Sequence, residues 1–186
     1  MSTSPTKHPP RVRKPPVTNP RLSMAVGSGL AGGRAGVCCS FRVLCKDVDG
    51  NKRTLGGDVI ASTLSYDNGF APVDAHVVDN TDGSYTVSYT PVHASSLCKL
   101  TVFVNGTHVE GSPYGPHVTA GDTETRNTEV FGRGLYDGQS GRPCTFTIQT
   151  KDSFGNRCAA GGDSFMVKVC ADAPKLSLRR AVSSSH

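Results

Sequence analysis

Tryptophan is absent from this 186-residue sequence, which also lacks long apolar runs and sustained helical periodicity. No segment approaches the roughly 20 apolar residues of a membrane-spanning helix. Apolar residues do not recur at i, i+3, i+4 and i+7 over any long window, which argues against amphipathic helices. The chain has instead 21 glycines and short alternating runs bounded by Gly, Asn and Asp. This composition predicts an all-β protein.

The segment DNTDGSYTVSYTP, residues 79–91, shows the alternation most clearly. A turn signal comes first, and a proline, which cannot donate to a strand ladder, ends the run. Tyr85, Val87 and Tyr89 fall on one side of an extended chain, and the intervening Ser and Thr residues fall on the other. We expect a strand with one buried face and one solvated face.

The net charge of +5 comes from one end of the chain. Residues 1–21 contain five Lys and Arg and no acidic residue, and in the remainder 15 Lys and Arg balance 15 Asp and Glu. Because six prolines also fall in this region, residues 1–23 are predicted to form a disordered basic arm. The simplest interpretation is a solvated leader. An alternative is association with nucleic acid or an anionic membrane through this arm, although no aromatic residues interleave for base stacking.

Seven cysteines, an odd number, are spread along the chain. The N-terminus has no apolar core typical of a secretory signal, so we expect a cytoplasmic protein with reduced thiols. Cys39, Cys45 and Cys98 fall at inward-facing strand positions and are expected to be small core residues. No CxxC or HxxxH spacing suggests a metal site, and no cofactor is expected.

No catalytic constellation is evident. The glycine-rich segment 27–33 lacks the GK[ST] that a phosphate-binding loop needs, and it does not open a helix. The aspartates cluster in turns without a calcium-loop pattern, so their expected role is to form turn hydrogen bonds. The histidines have no Ser, Cys or Glu partner at a telling distance. We therefore expect no enzymatic activity.

An internal repeat organises the chain. Residues 27–58 align without a gap on residues 132–163, at an offset of 105. The shared elements are GxGL, CxF, KDxxGN and GGD, and an ungapped match of this density indicates a tandem duplication of one small domain.

These motifs, followed by DNxDGSYxVSYTP and GSPY, resemble the filamin/ABP280-type immunoglobulin-like repeat. The resemblance covers residues 24–120 as one complete repeat and residues 126–169 as the opening part of a second. It implies an antiparallel immunoglobulin-like β-sandwich of seven strands. Cys39 and Cys98 would begin strands on opposite sheets, where a disulfide is disfavoured by the expected compartment.

The second copy contains only three of the seven strands, which cannot close a sandwich. Either the chain is a truncated product, or the fragment leans on the first repeat, or it stays loosely ordered. We favour truncation, with marginal order over 126–186 and a disordered basic tail over 170–186.

The resemblance also implies a binding mode. Filamin-type repeats accept a partner peptide as an added strand along their third strand, here Val59–Leu64. Val59, Ala61 and Thr63 would face the groove between the third and fourth strands, and Ala75 and Val77 would form its other wall. The expected partner is a protein or peptide in extended form, with no small-molecule substrate. The alternative is a repeat that serves only as a spacer.

Two wider settings follow from the resemblance. One is a scaffold linked indirectly to the actin cytoskeleton, although nothing in this chain resembles an actin-binding domain. The other is a substrate-recruiting fragment of a ubiquitin-ligase-type protein, although no RING or HECT-like segment is present.

Overall fold

The computed structural model describes residues 17–169 and the backbone of residues 178–180. Within those residues the regular structure consists of short β-strands and single-turn 3-10 helices, as the alternation and the glycine-rich turns predict. The 3-10 turns span Pro20–Leu22, Ser28–Leu30, Thr125–Asn127 and Arg133–Leu135. None of these turns has the length and apolar content needed to cross a bilayer.

The strands of the first repeat form two facing antiparallel sheets, and the prediction of an immunoglobulin-like sandwich is confirmed. One sheet has the order β1-β3-β7-β6 and the other has the order β5-β4-β8-β9, while β10 pairs in parallel with β2. The strands are β1 (Met24–Val26), β2 (Gly32–Arg34), β3 (Cys39–Leu44), β4 (Ile60–Tyr66), β5 (Val73–Asp74), β6 (His76–Asp79), β7 (Ser84–Tyr89), β8 (Cys98–Val104), β9 (Thr107–His108) and β10 (His117–Thr119).

The alternating residues of β7 lie at the centre of the core, as predicted. Tyr85, Val87 and Tyr89 are all buried against the facing sheet. The Tyr89 hydroxyl donates to the carbonyl of Gly29 at 2.5 Å, so the one polar atom of that side chain is satisfied inside the core. Burial of each such side chain contributes about 1.5–3 kcal/mol.

The folded repeat begins before residue 24, contrary to the predicted boundary. The Thr18 hydroxyl donates to the Asp58 carboxylate at 2.8 Å, and the Asn19 amide donates to the Lys46 carbonyl at 2.7 Å. Ser23 is fully buried. Residues 17–23 are therefore part of the sandwich, and residues 1–16 of the predicted arm lie outside the described residues.

The second repeat reproduces the β1–β3 pairing of the first, but residues 137–139, equivalent to β2, form no strand. Its strands are β11 (Glu129–Phe131), β12 (Thr147–Gln149) and β13 (Phe165–Val167). Val130 lies opposite Ile148 in β11–β12, and the same offset of 105 gives the Ala25–Val43 pair of β1–β3. The duplication seen in the sequence thus extends to the pairing register.

Strand β14 (Leu178–Arg180) falls within the tail that was predicted to be disordered. It pairs antiparallel with β13, and Phe165 lies opposite Arg180. In the first repeat the equivalent residue, Ile60, lies opposite Val104 of β8. Strand β14 therefore pairs with the residue equivalent to Ile60, as β8 does in the first repeat. The rest of the predicted tail, residues 170–177 and 181–186, lies outside the described residues.

The second repeat leans on the first through Asn156. Its side-chain amide donates to the Val92 carbonyl at 2.8 Å and accepts from the Ala94 amide at 2.9 Å. The Phe154 ring packs against Gly36, where a Cβ atom would come within 2.7 Å of the ring. Among the arrangements that the sequence left open, the structure shows the second repeat in contact with the first repeat.

Asp152 holds this docking turn in shape. Its carboxylate accepts from the amides of Phe154 and Asn156, each at 2.9 Å, and from the amide of Gly121 at 2.8 Å. Burial opposes ionisation of the fully buried Asp152, but these hydrogen bonds outweigh it and hold its pKa below the ordinary value. Asp47 makes the equivalent turn in the first repeat, which is the structural role expected for these aspartates.

The predicted core cysteines are confirmed: Cys39, Cys45 and Cys98 are buried, and all three are free thiols. Burial, followed by the nearby Asp58 carboxylate, raises the pKa of the Cys45 thiol to about 12. Such a thiol is almost entirely protonated at neutral pH and is a poor nucleophile.

We predict that Asn156→Ala releases the second repeat, because it removes both hydrogen bonds to the first. At about 1 kcal/mol for each bond, hydrogen exchange of the Ala94 amide should become roughly tenfold faster or more. Asn51→Ala is the matched control, since among the described residues the Asn51 side chain bonds to Asp47 within its own turn and not to the other repeat. Equal exchange at Ala94 in the two variants would contradict the docking role.

We also predict a clear order of thiol reactivity in the native protein. At pH 8 a disulfide reagent should modify the exposed Cys38 and Cys144 in a fast phase. Cys45 should react only upon unfolding, because its thiol is both buried and protonated. Peptide mapping of the fast phase measures this order, and early labelling of Cys45 would show that the core at β3 is open.

Candidate partner-binding groove

Strand β4 has a neighbouring strand on each edge, but the two pairings differ in length. It pairs with β8 over all of its residues, from Ile60 opposite Val104 to Tyr66 opposite Cys98. On its other edge only Thr63 and Leu64 pair with β5. The Ala75 amide adds one bond, to the Ser62 carbonyl, at 2.9 Å. The predicted edge Val59–Leu64 is therefore open at its beginning and covered from Ser62 onwards.

The backbone geometry shows which groups of the open part are available. The Val59 carbonyl accepts from the Asn105 amide at 2.8 Å, so the polar groups of Val59 point toward β8. Alternate residues of an antiparallel strand point to opposite neighbours. The amide and carbonyl of Ile60 therefore point toward the open edge, next to the Ser62 carbonyl that Ala75 occupies.

The start of β4 is held firmly in place. The Asp58 carboxylate accepts from Thr18 and from the Asn105 side chain, each at 2.8 Å, and the Asp58 amide donates to the Tyr85 hydroxyl at 2.7 Å. Gly57, one residue earlier, donates its amide to Asp79 at 2.9 Å. The GGD motif thus ties the open edge to both sheets, and a guest strand would meet a preformed template.

The five residues predicted to line the groove fall into two groups. Val59, Ala61 and Thr63 lie on the outer face of the β4 sheet, where the exposed fraction of Val59 is 70%. Ala75 and Val77 are half-buried and pack against the core, with Val77 opposite the buried Val87. The structure therefore places these two groups on different faces and does not bring them together as opposite walls.

Ile60 completes the second group. Its side chain is half-buried and packs on the core, as do those of Ala75 and Val77. Ala75 bonds to Ser62 of β4 and Val77 lies in β6, so we infer that the three side chains flank the opening between the β4 edge and β6. We call them the groove floor. Alternation with Val59, Ala61 and Thr63 gives the face of the Ile60 side chain but not its distance from the sheet edge, so the sequence analysis did not include Ile60 in the groove.

The outer face carries an aromatic pair that the sequence analysis also missed. Ala61 lies opposite Phe103 in β8, and the ring centroids of Phe103 and His108 are 4.2 Å apart. Phe103 alternates with the buried Val102 and Val104, so strict period-two reading of β8 would have placed it outside. Together with Val59, these side chains give the outer face a partly apolar surface beside the open edge.

A short latch covers the rest of the β4 edge. It consists of β5 and is fastened by the Thr63 hydroxyl, which donates to the Asp74 carboxylate at 2.8 Å. The Ser62 hydroxyl lies buried beneath this edge, and it has no hydrogen-bond partner among the described residues. An unsatisfied buried hydroxyl costs about 1–3 kcal/mol, so the covered half of the edge is not an optimised piece of sheet.

The groove offers chemistry for recognition by backbone pairing and apolar contact. Within residues 17–169, no group of three or more His, Cys, Asp or Glu side chains is placed to hold a metal ion. The groups available at the groove are backbone amides and carbonyls, aliphatic side chains, one aromatic ring and one imidazole.

Comparison with known proteins identifies the family to which this chain is similar. The sequence pattern of the Filamin/ABP280 repeat matches residues 17–115. The E3 ubiquitin-protein ligase TRIM45 of Bos taurus is 34% identical over 145 residues, which covers 77% of this chain and 23% of that protein. Filamin-C of Mus musculus is 35% identical over 99 residues, covering 52% of this chain and 4% of that protein. This chain thus spans less than a quarter of the length of these relatives.

Among solved structures, the Escherichia coli adhesin FdeC superposes with a TM-score of 0.58 at 17% identity, over 83% of this chain and 48% of that one. A likeness at this identity supports the sandwich fold. The family match begins at residue 17, where the structure also places the start of the folded repeat. The chain belongs to the Filamin/ABP280 repeat family.

Proposed function

We propose that the first repeat is a protein-interaction module that binds an extended peptide by strand addition at the open edge of β4. The observation that carries the proposal is the unequal pairing of β4, which leaves the backbone of Ile60 directed at a groove with an apolar floor. A guest strand paired here would alternate its side chains between the groove floor and the outer face.

The guest requires alternate apolar residues. Side chains directed inward would meet Ile60, Ala75 and Val77, and side chains directed outward would lie beside Val59 and Ala61. Backbone hydrogen bonds supply register without reading sequence, so specificity comes from the size of the inward-facing residues. Because the open edge is short, a guest of more than about three residues must displace the latch.

We infer that the latch regulates this site. The two backbone bonds of β5 and the Thr63–Asp74 contact lie along the edge that a longer guest would use. The latch is part of the same chain, so its closure is intramolecular and competes with a guest at any guest concentration.

Of the two larger proteins to which this repeat could belong, a ubiquitin-ligase-type protein is better supported than a cytoskeletal scaffold. The similarity to TRIM45 extends over 77% of this chain, whereas that to Filamin-C covers 52%. On this basis we propose that the repeat recruits a protein to a larger assembly of the ligase type. An indirect link to the actin cytoskeleton is the second candidate and rests on the filamin similarity alone.

We predict that Ala61→Asp abolishes peptide capture, because it places a charge beside the paired guest without disturbing the core. Peptides selected by display on the immobilised chain serve as probes, and their affinity should fall roughly tenfold or more while the melting temperature stays unchanged. Ser40→Asp is the matched control, since Ser40 is exposed on the opposite sheet. Equal affinity in both variants would rule out the groove.

We predict that Asp74→Ala strengthens capture by opening the latch. Loss of the Thr63–Asp74 hydrogen bond, at about 1 kcal/mol, should raise the affinity for a selected peptide about fivefold. Asp67→Ala removes the same charge from the connection that precedes β5, where the described side-chain contact is the pair with Lys99 at 3.6 Å, so it should leave affinity unchanged. Isothermal titration of both variants makes the comparison. A weaker or unchanged Asp74→Ala complex would contradict the latch.

A further inference from the structure

One polar side chain beside the groove is buried and unsatisfied. Ser62 points inward from β4, the residue is only 4% exposed, and its hydroxyl has no hydrogen-bond partner among the described residues. Most buried hydroxyls in proteins have a partner, so an exception requires a specific explanation. The position of Ser62 offers one, because its backbone lies on the edge that a guest strand would share.

The four neighbours of Ser62 on the inner face of its sheet are all apolar. Along β4 they are Ile60 and Leu64, and in the facing strand β8 the opposite residue is Val102. On the latch side the Ala75 amide donates to the Ser62 carbonyl, which places Ala75 opposite Ser62, one step beyond the two pairs of β5. None of these four side chains can form a hydrogen bond.

One of these neighbours can be exchanged. Ile60, Leu64 and Val102 belong to the long β4–β8 pairing, whereas Ala75 follows the two-residue latch that a longer guest must displace. A guest strand in that place presents its own residue opposite Ser62. Residues directly opposite each other have Cβ atoms about 5 Å apart, so a hydroxyl on the guest residue can reach the Ser62 hydroxyl.

The sandwich framework does not require a hydroxyl at this position. At the offset of 105, the residue equivalent to Ser62 is Val167, in the corresponding strand β13. The residues two positions away on either side of it are Phe165 and Val169, so the second copy has an uninterrupted apolar series where the first has a serine. Because an aliphatic side chain meets the needs of packing here, the Ser62 hydroxyl is available for recognition.

We propose that Ser62 determines specificity at the β4 groove by pairing with a serine or threonine of the guest strand. This inference rests on the proposed strand addition and adds one requirement: the guest residue opposite Ser62 has a hydroxyl, and the one opposite Ile60, two positions away, is apolar. Serine is the smallest hydroxyl-bearing replacement for Ala75, and threonine adds a methyl group and a preference for strands. Such a guest gains a hydrogen bond that closure of the latch cannot provide.

The first test compares peptides selected by display on the wild-type chain with those selected on Ser62→Ala. We expect a serine or threonine to recur at one position of the wild-type peptides, two residues from an apolar one, and not to recur in the Ser62→Ala set. Ser65→Ala is the matched control, because the Ser65 hydroxyl is exposed and donates to the Lys99 carbonyl at 3.2 Å. That variant should select the same hydroxyl position as the wild type.

Affinities then measure the contact directly. Two peptides that differ only by threonine or valine at the recurrent position have nearly the same shape, but only one has the hydroxyl. The valine peptide should bind the wild-type chain about fivefold more weakly. Both peptides should bind Ser62→Ala with similar affinity, since that variant has no hydroxyl left to satisfy.

A test within the chain uses the latch itself. Ala75→Ser places a hydroxyl opposite Ser62, so the closed latch gains the missing partner. The melting temperature should rise by about 2–4 °C, and the affinity for selected peptides should fall about fivefold. In the Ser62→Ala background the same change should produce neither effect, because the partner is absent.

Equal affinity of the wild-type chain for the threonine and valine peptides would overturn the inference, and so would a preference that persists in Ser62→Ala. Equal effects of Ala75→Ser in the two backgrounds would also contradict the pairing. In each case, slowed hydrogen exchange of the Ile60 amide would show that strand addition itself holds. A peptide that binds without slowing exchange at Ile60 would instead contradict strand addition at β4, and the specificity role of Ser62 with it.

Discussion

Strand β4 is hydrogen-bonded along its whole length on one side and over only part of its length on the other, and the proposed binding role depends on this inequality. Because backbone and side-chain directions alternate along a strand, neighbouring residues of β4 have different roles. Val59 and Ala61 direct their backbone to β8 and their side chains outward, whereas Ile60 directs its backbone to the open edge and its side chain inward, as part of the groove floor. A guest therefore finds pairing groups and apolar contact at one point, next to a strand start that Asp58 already fixes.

The sheet edges of the two repeats are covered in different ways. In the first repeat a two-residue latch covers half of the free edge of β4, and the remainder is short, which limits unwanted pairing. In the second repeat β14 pairs with β13, but the edge of β12 has no partner among the described residues. The docking of Asn156 onto Val92 and Ala94 secures the incomplete repeat at its opposite end. One duplicated framework thus presents two different edges.

Sequence reasoning succeeded where a feature depends on a local period. The alternation of β7 gave its buried face, and the gapless offset between the repeats extends to their strand pairing. It failed where order comes from distant contacts. Residues 17–23 read as part of a proline-rich arm, because the bonds that order them join Thr18 to Asp58 across 40 positions. The latch is two residues long and β14 is three, and neither length can show a period. The groove floor was missed because distance from a sheet edge is a tertiary property.

The most direct measurement of the central claim is amide hydrogen exchange at Ile60 in the presence of a bound peptide. If a guest strand pairs with the open edge, the Ile60 amide gains a hydrogen bond, and its exchange should slow markedly while that of Ala61, already directed to β8, changes little. If the peptide binds and the exchange of Ile60 is unchanged, the guest lies elsewhere and strand addition at β4 is wrong.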